Sequence, residues 1–130
     1  MKPNDFPSEF AHETNNIAID FDGVIHDAYL GFYDGTCYGL PVKGSLEAIK
    51  ELSKSFRIII FTAKAKPNRP LINNKTGKEL VKDWLQKYEI LDCISEVTCE
   101  KPRAILYIDD NAYRFLNWKD TLEFVKSNEG

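Results

Sequence analysis

Three short runs, nearly all apolar, constrain this chain more than any other feature. They are Ile17-Ala-Ile19, Arg57-Ile-Ile-Ile-Phe-Thr62 and Ala104-Ile-Leu-Tyr-Ile108. Each is too short for a typical helix and lacks the alternation of a half-exposed strand, so each reads as a strand buried on both faces. Amphipathic segments separate them. Ser45 to Lys54 places Leu46, Ile49 and Leu52 on one helical face, with Ser45 as its expected cap. Thr76-Gly-Lys-Glu79 is a capping box, opening a helix with Leu80, Val81, Trp84, Leu85 and Tyr88 on one side. Ile94 to Thr98 fits a further short strand, and Asp120-Thr-Leu-Glu123 is expected to cap a last helix holding Leu122, Phe124 and Val125. Strands alternating with helices in this way predict an α/β fold with a mostly parallel central sheet.

The 130 residues suffice for one domain, expected over 16–130 behind an N-terminal tail, 1–15. At 43% hydrophobic and 28% charged, the composition is that of a chain able to bury a core, which excludes disorder and coiled coil. A net charge of −3 argues against a general nucleic-acid surface, leaving nucleic acid only as a substrate. No stretch is long and apolar enough to span a membrane, and Met1 to Phe10 lacks the apolar centre of a signal peptide, so a cytoplasmic location is expected. Cys37, Cys93 and Cys99 lack metal-ligand spacing and are read as free thiols of a reducing compartment.

Ligands of open parallel sheets bind beyond the carboxyl ends of the strands. Here those ends carry Asp20-Phe-Asp22-Gly23, Thr62 and Asp109-Asp110. Four carboxylates in one place repel unless a cation joins them, and an all-oxygen donor set suits Mg²⁺. Asp20 and Asp22, two apart on a turning backbone, divide into a nucleophile that attacks phosphorus and an acid/base for the leaving alcohol and the incoming water. Gly23 permits the turn. Lys101, held off any ladder by Pro102, and the Thr62 hydroxyl would bind the phosphate, aided by the backbone N–H groups of Ala63 and Lys64.

Ile17-Ala-Ile-Asp-Phe-Asp-Gly-Val24, Ile58-Ile-Ile-Phe-Thr62, Lys101 and Ile105-Leu-Tyr-Ile-Asp-Asp110 resemble, in order, the four motifs of the haloacid dehalogenase (HAD) superfamily. The resemblance spans about residues 17 to 112. It implies a single-domain, three-layer Rossmann-like fold and a phosphatase working through an aspartyl-phosphate on Asp20. It also implies that Asp22 is the general acid/base, with its backbone carbonyl on the metal, and that Thr62 and Lys101 hold phosphate. Asp20, Asp109 and Asp110 would then hold Mg²⁺ directly or through water, with Asp109 the favoured direct ligand. Val24 departs from the Thr or Ser common after that glycine in the family's phosphatases. The segments between the motifs leave room for a flap hairpin and none for a cap domain, so the chain resembles the capless group, whose open site either admits a phosphorylated small molecule or an exposed phosphate on a polymer, or is closed by a neighbouring subunit in an oligomer.

The flap segment carries Tyr29, Phe32, Tyr33 and Tyr38, which suit either substrate stacking or packing. His26 is expected as a solvated loop histidine, with substrate contact as its alternative, and Lys64, Lys66 and Arg69 as an exposed basic loop with a second phosphate as its alternative partner. Two other functions fit the same acids: phosphoryl transfer to another acceptor, and a phospho-accepting regulatory domain with little turnover, which would need no acid/base at Asp22. A silent scaffold binding partners through the flap is disfavoured by the presence of every acid, Thr62 and Lys101.

Overall fold

The computed structural model describes residues 15–100, 102, 104, 106–109, 113–114 and 117–128. The buried runs form β1 (Asn16–Asp20), β2 (Arg57–Phe61), β3 (Ile94–Thr98) and β4 (Leu106–Asp109), and Tyr113–Arg114 adds a two-residue β5 at one edge. The helices are α1 (Ser45–Leu52), α2 (Gly77–Lys87) and α3 (Trp118–Asn128). Every strand pair is parallel and the sheet order is β3-β2-β1-β4-β5. This is an α/β open parallel sheet with three helices, compatible with a Rossmann-like arrangement. Among the described residues, no helix is long and apolar enough to cross a membrane.

The burial pattern explains the sheet. In β1, Ile17, Ala18 and Ile19 are all inaccessible, and in β2 Ile58, Ile59 and Ile60 are all buried. Both side-chain directions are therefore covered, which favours β-branched residues at every position. Ala48, Ile49 and Leu52 of α1, Val81, Trp84 and Leu85 of α2, and Trp118 and Val125 of α3 complete the core.

Three local expectations shift. Gly44, in a left-handed conformation, occupies the position before α1, while Ser45 lies buried within the first turn; no side chain caps this end. The last helix begins at Trp118, two residues before Asp120, because Asn117 Oδ1 accepts from the Asp120 N–H (2.9 Å) and so acts as the cap. Residues 23–44 form turns rather than a two-stranded flap hairpin. The segment closes on itself through one antiparallel bridge, His26 with Pro41, flanked by Asp27 N–H to Leu40 O and Val42 N–H to Ile25 O. Pro41 has no N–H to extend that ladder. The capping box at Thr76 forms as expected, with both reciprocal bonds.

Candidate active site

The chain runs from β1 outward to β2 and β3, then returns to place β4 on the other side of β1. The order reverses between β1 and β4, and the crevice beyond their carboxyl ends is where open α/β sheets bind ligands. Asp20 is the last residue of β1 and Asp109 the last of β4. Ile19 pairs with Ile108 and Asp20 with Phe61, so Asp20, Asp109 and Thr62 emerge side by side from three adjacent strands. Neighbouring strands lie about 4.8 Å apart. Lys101 and Asp110 fall outside the described residues, as does the Asp109 side chain.

Asp22 lies just past β1, where the backbone wraps into a tight turn. The Phe21 carbonyl accepts from the N–H groups of Ile25 (3.0 Å) and His26 (2.9 Å), and Gly23 takes φ +84°. The turn brings His26 back over Asp22. His26 Nδ1 donates to Asp22 Oδ1 at 2.9 Å, while the other carboxylate oxygen, Oδ2, pairs with Lys64 Nζ at 3.1 Å. His26 is fully buried and Lys64 is 1% exposed. The expected solvated histidine and exposed basic loop are thus corrected at these two positions. Burial drives the Asp22 carboxyl upward, but the His26 hydrogen bond and the Lys64 charge outweigh it, and the group is held below the ordinary aspartate range.

His26 is itself fixed. Its Nε2 accepts from the Gly39 N–H at 2.8 Å, so its proton resides on Nδ1, facing Asp22. The Gly39 carbonyl in turn accepts from Trp84 Nε1 at 3.0 Å. The imidazole stacks on Phe21 (centroids 5.1 Å apart, planes 3° from parallel) and meets the Trp84 ring at near right angles. A Cβ on Gly39 would stand 2.0 Å from the Asp27 carbonyl oxygen, so only glycine fits there.

Lys64 belongs to a short 3-10 turn, Ala63–Ala65, that follows β2. Thr62 Oγ1 accepts from the Lys64 N–H at 3.2 Å. That N–H is therefore turned onto Thr62 rather than open toward a ligand as expected, although the buried hydroxyl keeps its own proton to donate. A Cβ on Gly77 would meet the Lys64 carbonyl oxygen at 1.6 Å, so the start of α2 lies directly against the turn and locks it.

The flap aromatics divide. Tyr38 packs edge-on to His26, its hydroxyl accepts from Leu30 N–H and donates to the Gly31 carbonyl. Tyr29 and Tyr33 pack edge-on to Tyr38 and stay largely exposed. Phe32 lies under Lys64 and Arg69. Cys37, Cys93 and Cys99 are free, and burial pushes the Cys37 thiol up to about 12.

Among the described residues, no three His, Cys, Asp or Glu side chains group to hold a metal. The donor chemistry at the reversal point nevertheless suits a hard cation, since two carboxylate-bearing residues end adjacent strands there. The Asp22 carboxylate, occupied by His26 and Lys64, does not fit as a ligand; its backbone carbonyl remains the expected donor. Compared with protein-family models, curated proteins and solved structures, the chain matches none.

His26 and the Lys64 ammonium are the contributors that sequence reasoning missed. A signal for His26 exists in hindsight: it follows Val24-Ile25, an apolar pair that buries, and lies four residues from Asp22 across a glycine turn. Lys64 carries no such signal, because its burial depends on α2 closing over the turn.

Proposed function

We propose that this chain is a Mg²⁺-dependent phosphomonoester hydrolase of HAD type, capless and cytoplasmic, working through an aspartyl-phosphate on Asp20. One observation carries the reading: Asp20 ends the strand at the reversal point, beside Asp109, and the carboxylate two residues on is held in place by a buried histidine and a buried lysine. Ahead of α1 and α2, the segments after β1 and β2 form turns, isolated bridges and a 3-10 turn, in keeping with a capless reading. Three free thiols suit a reducing compartment.

An Asp20 carboxylate oxygen attacks phosphorus as the bond to the leaving oxygen breaks, forming an acyl phosphate. Asp22 in its protonated form gives its proton to the leaving alcohol. The resulting carboxylate then takes a proton from the water that attacks the same phosphorus, releasing inorganic phosphate and restoring Asp20. Thr62 and Lys101 hold the phosphate oxygens. Mg²⁺, held by Asp20, Asp109, Asp110 and the Asp22 carbonyl, would neutralise charge on the transferring group.

Lys64 and His26 favour the ionised form of Asp22. It is ready as a base for the second step and must acquire a proton for the first, so esters with good leaving groups depend on it least. The same bias favours the second reading, a phospho-accepting domain with slow turnover. The test is phosphate release from a panel of monoesters with Mg²⁺ and with EDTA, alongside acid-quench trapping of labelled phosphate on the protein. Metal-dependent release and labelling that both vanish in Asp20→Asn are expected. Labelling without release selects the phospho-accepting reading; neither, with folded protein, rejects both.

A further inference from the structure

One cavity adjoins the site and takes no part in the chemistry above. It measures about 130 Å³ and is lined by Phe32, Asp34, Lys64, Arg69, Pro70 and Ile72, among others. Its wall begins at Lys64, whose ammonium touches the acid/base Asp22, so it opens one side chain away from where a leaving alcohol would be protonated. Arg69 is built into that wall from two directions. Its Nε donates to the Ala63 carbonyl at 3.0 Å, directly after Thr62, and its guanidinium carbon lies 4.4 Å from the centroid of the Phe32 ring. Among the described residues no carboxylate stands within ion-pair distance of it. The cavity's acid, Asp34, is engaged by Thr36, accepting from its N–H (3.0 Å) and its hydroxyl (2.6 Å).

A guanidinium held by Nε and stacked on a ring keeps its terminal nitrogens as a preorganised fork, the arrangement that grips phosphate through two parallel bonds. We infer that the cavity is a subsite for a second phosphate group, carried on the leaving portion of the substrate and held by Arg69 against Phe32. This rests on the phosphatase reading for the first phosphate. It gives the substrate a class: a monoester with another phosphate a few bonds away, terminal as in a bisphosphate or internal as in an oligonucleotide end.

The test compares kcat/KM for propyl phosphate, propanediol bisphosphate and a dinucleotide with a phosphorylated end. A charge-assisted bidentate contact predicts a preference for the two-phosphate compounds of roughly tenfold to a hundredfold, collapsing toward unity in Arg69→Ala. It also predicts that the wild-type preference shrinks as salt rises, a readout that needs no variant. Preference for the bisphosphate alone assigns a terminal phosphate; a preference shared with the dinucleotide admits the internal one. Equal kcat/KM for all three compounds, or a preference unchanged in Arg69→Ala, overturns the subsite. Calorimetry of the same compounds on Asp20→Asn separates this from the phosphatase reading: preferential binding of the bisphosphate, without turnover by wild type, retains the subsite and rejects the hydrolase, whereas no preference in binding or turnover rejects the subsite.

Discussion

His26 Nδ1 donates to Asp22 Oδ1 at 2.9 Å, and the bond is directional because the opposite ring nitrogen is already committed to the Gly39 N–H. A chain of contacts thus runs from Trp84 on α2 through Gly39 and His26 to the carboxylate beyond β1. Each link is buried or half-buried, so each is costly to break.

Replacing His26 by alanine leaves the Gly39 N–H and one Asp22 oxygen without their partner and opens space between Phe21 and Trp84. A loss of about 1–3 kcal/mol in urea unfolding is expected. On the phosphatase reading, release from alkyl phosphates should change more than release from aryl phosphates, since the latter need less help from Asp22, whose placing and proton affinity both depend on His26. Equal losses on both would make His26 structural only.

Lys64→Met and Asp22→Asn should each destabilise the fold, by roughly 1–3 kcal/mol, because each strands a charge or a donor against the same neighbours. The double variant should lose less than the sum of the two, since it removes both members of the pair. A strictly additive cycle would show that the 3.1 Å contact contributes nothing in solution.

The lowered Asp22 pKa sets the sign of an acid effect. Folding favours the ionised form, so the contribution to stability is full above the unfolded value, roughly 3.9, and is lost as pH falls through the lower folded value. Urea midpoints should therefore fall as pH drops from about 3.9 through that lower value, and the fall should be shallower in Asp22→Asn.

Gly77→Ala tests the seat of Lys64. The added methyl would meet the Lys64 carbonyl oxygen, so α2 or the 3-10 turn must move. About 2 kcal/mol or more should be lost. Binding of propanediol bisphosphate should weaken with it, as Lys64 lines that cavity. Unchanged stability would show that the contact relaxes freely.

Cys37 should resist alkylation by iodoacetamide at neutral pH in the folded protein and react once unfolded, because a thiol pushed up to about 12 is almost wholly protonated there. Rapid native labelling at Cys37, located by peptide mapping, would contradict its burial.

The sequence by itself determined the strands, the parallel sheet and the acids at its edge. Ile17 to Ile19 and Ile58 to Ile60 are apolar without interruption, and that pattern has few solutions other than a strand covered on both faces. The Thr76 capping box is likewise local, since it closes over four residues. From these follow the placement of Asp20, Thr62 and Asp109 at strand ends. Tertiary structure alone decided how that edge is furnished. His26 became a buried partner of Asp22 because α2 sends Trp84 to hold Gly39, a contact spanning 45 residues. Lys64 left the solvent because Gly77 let a helix start close over its carbonyl. Short-range patterns report which residues must be buried; which polar group a buried charge meets depends on elements that pack together only after the chain has folded.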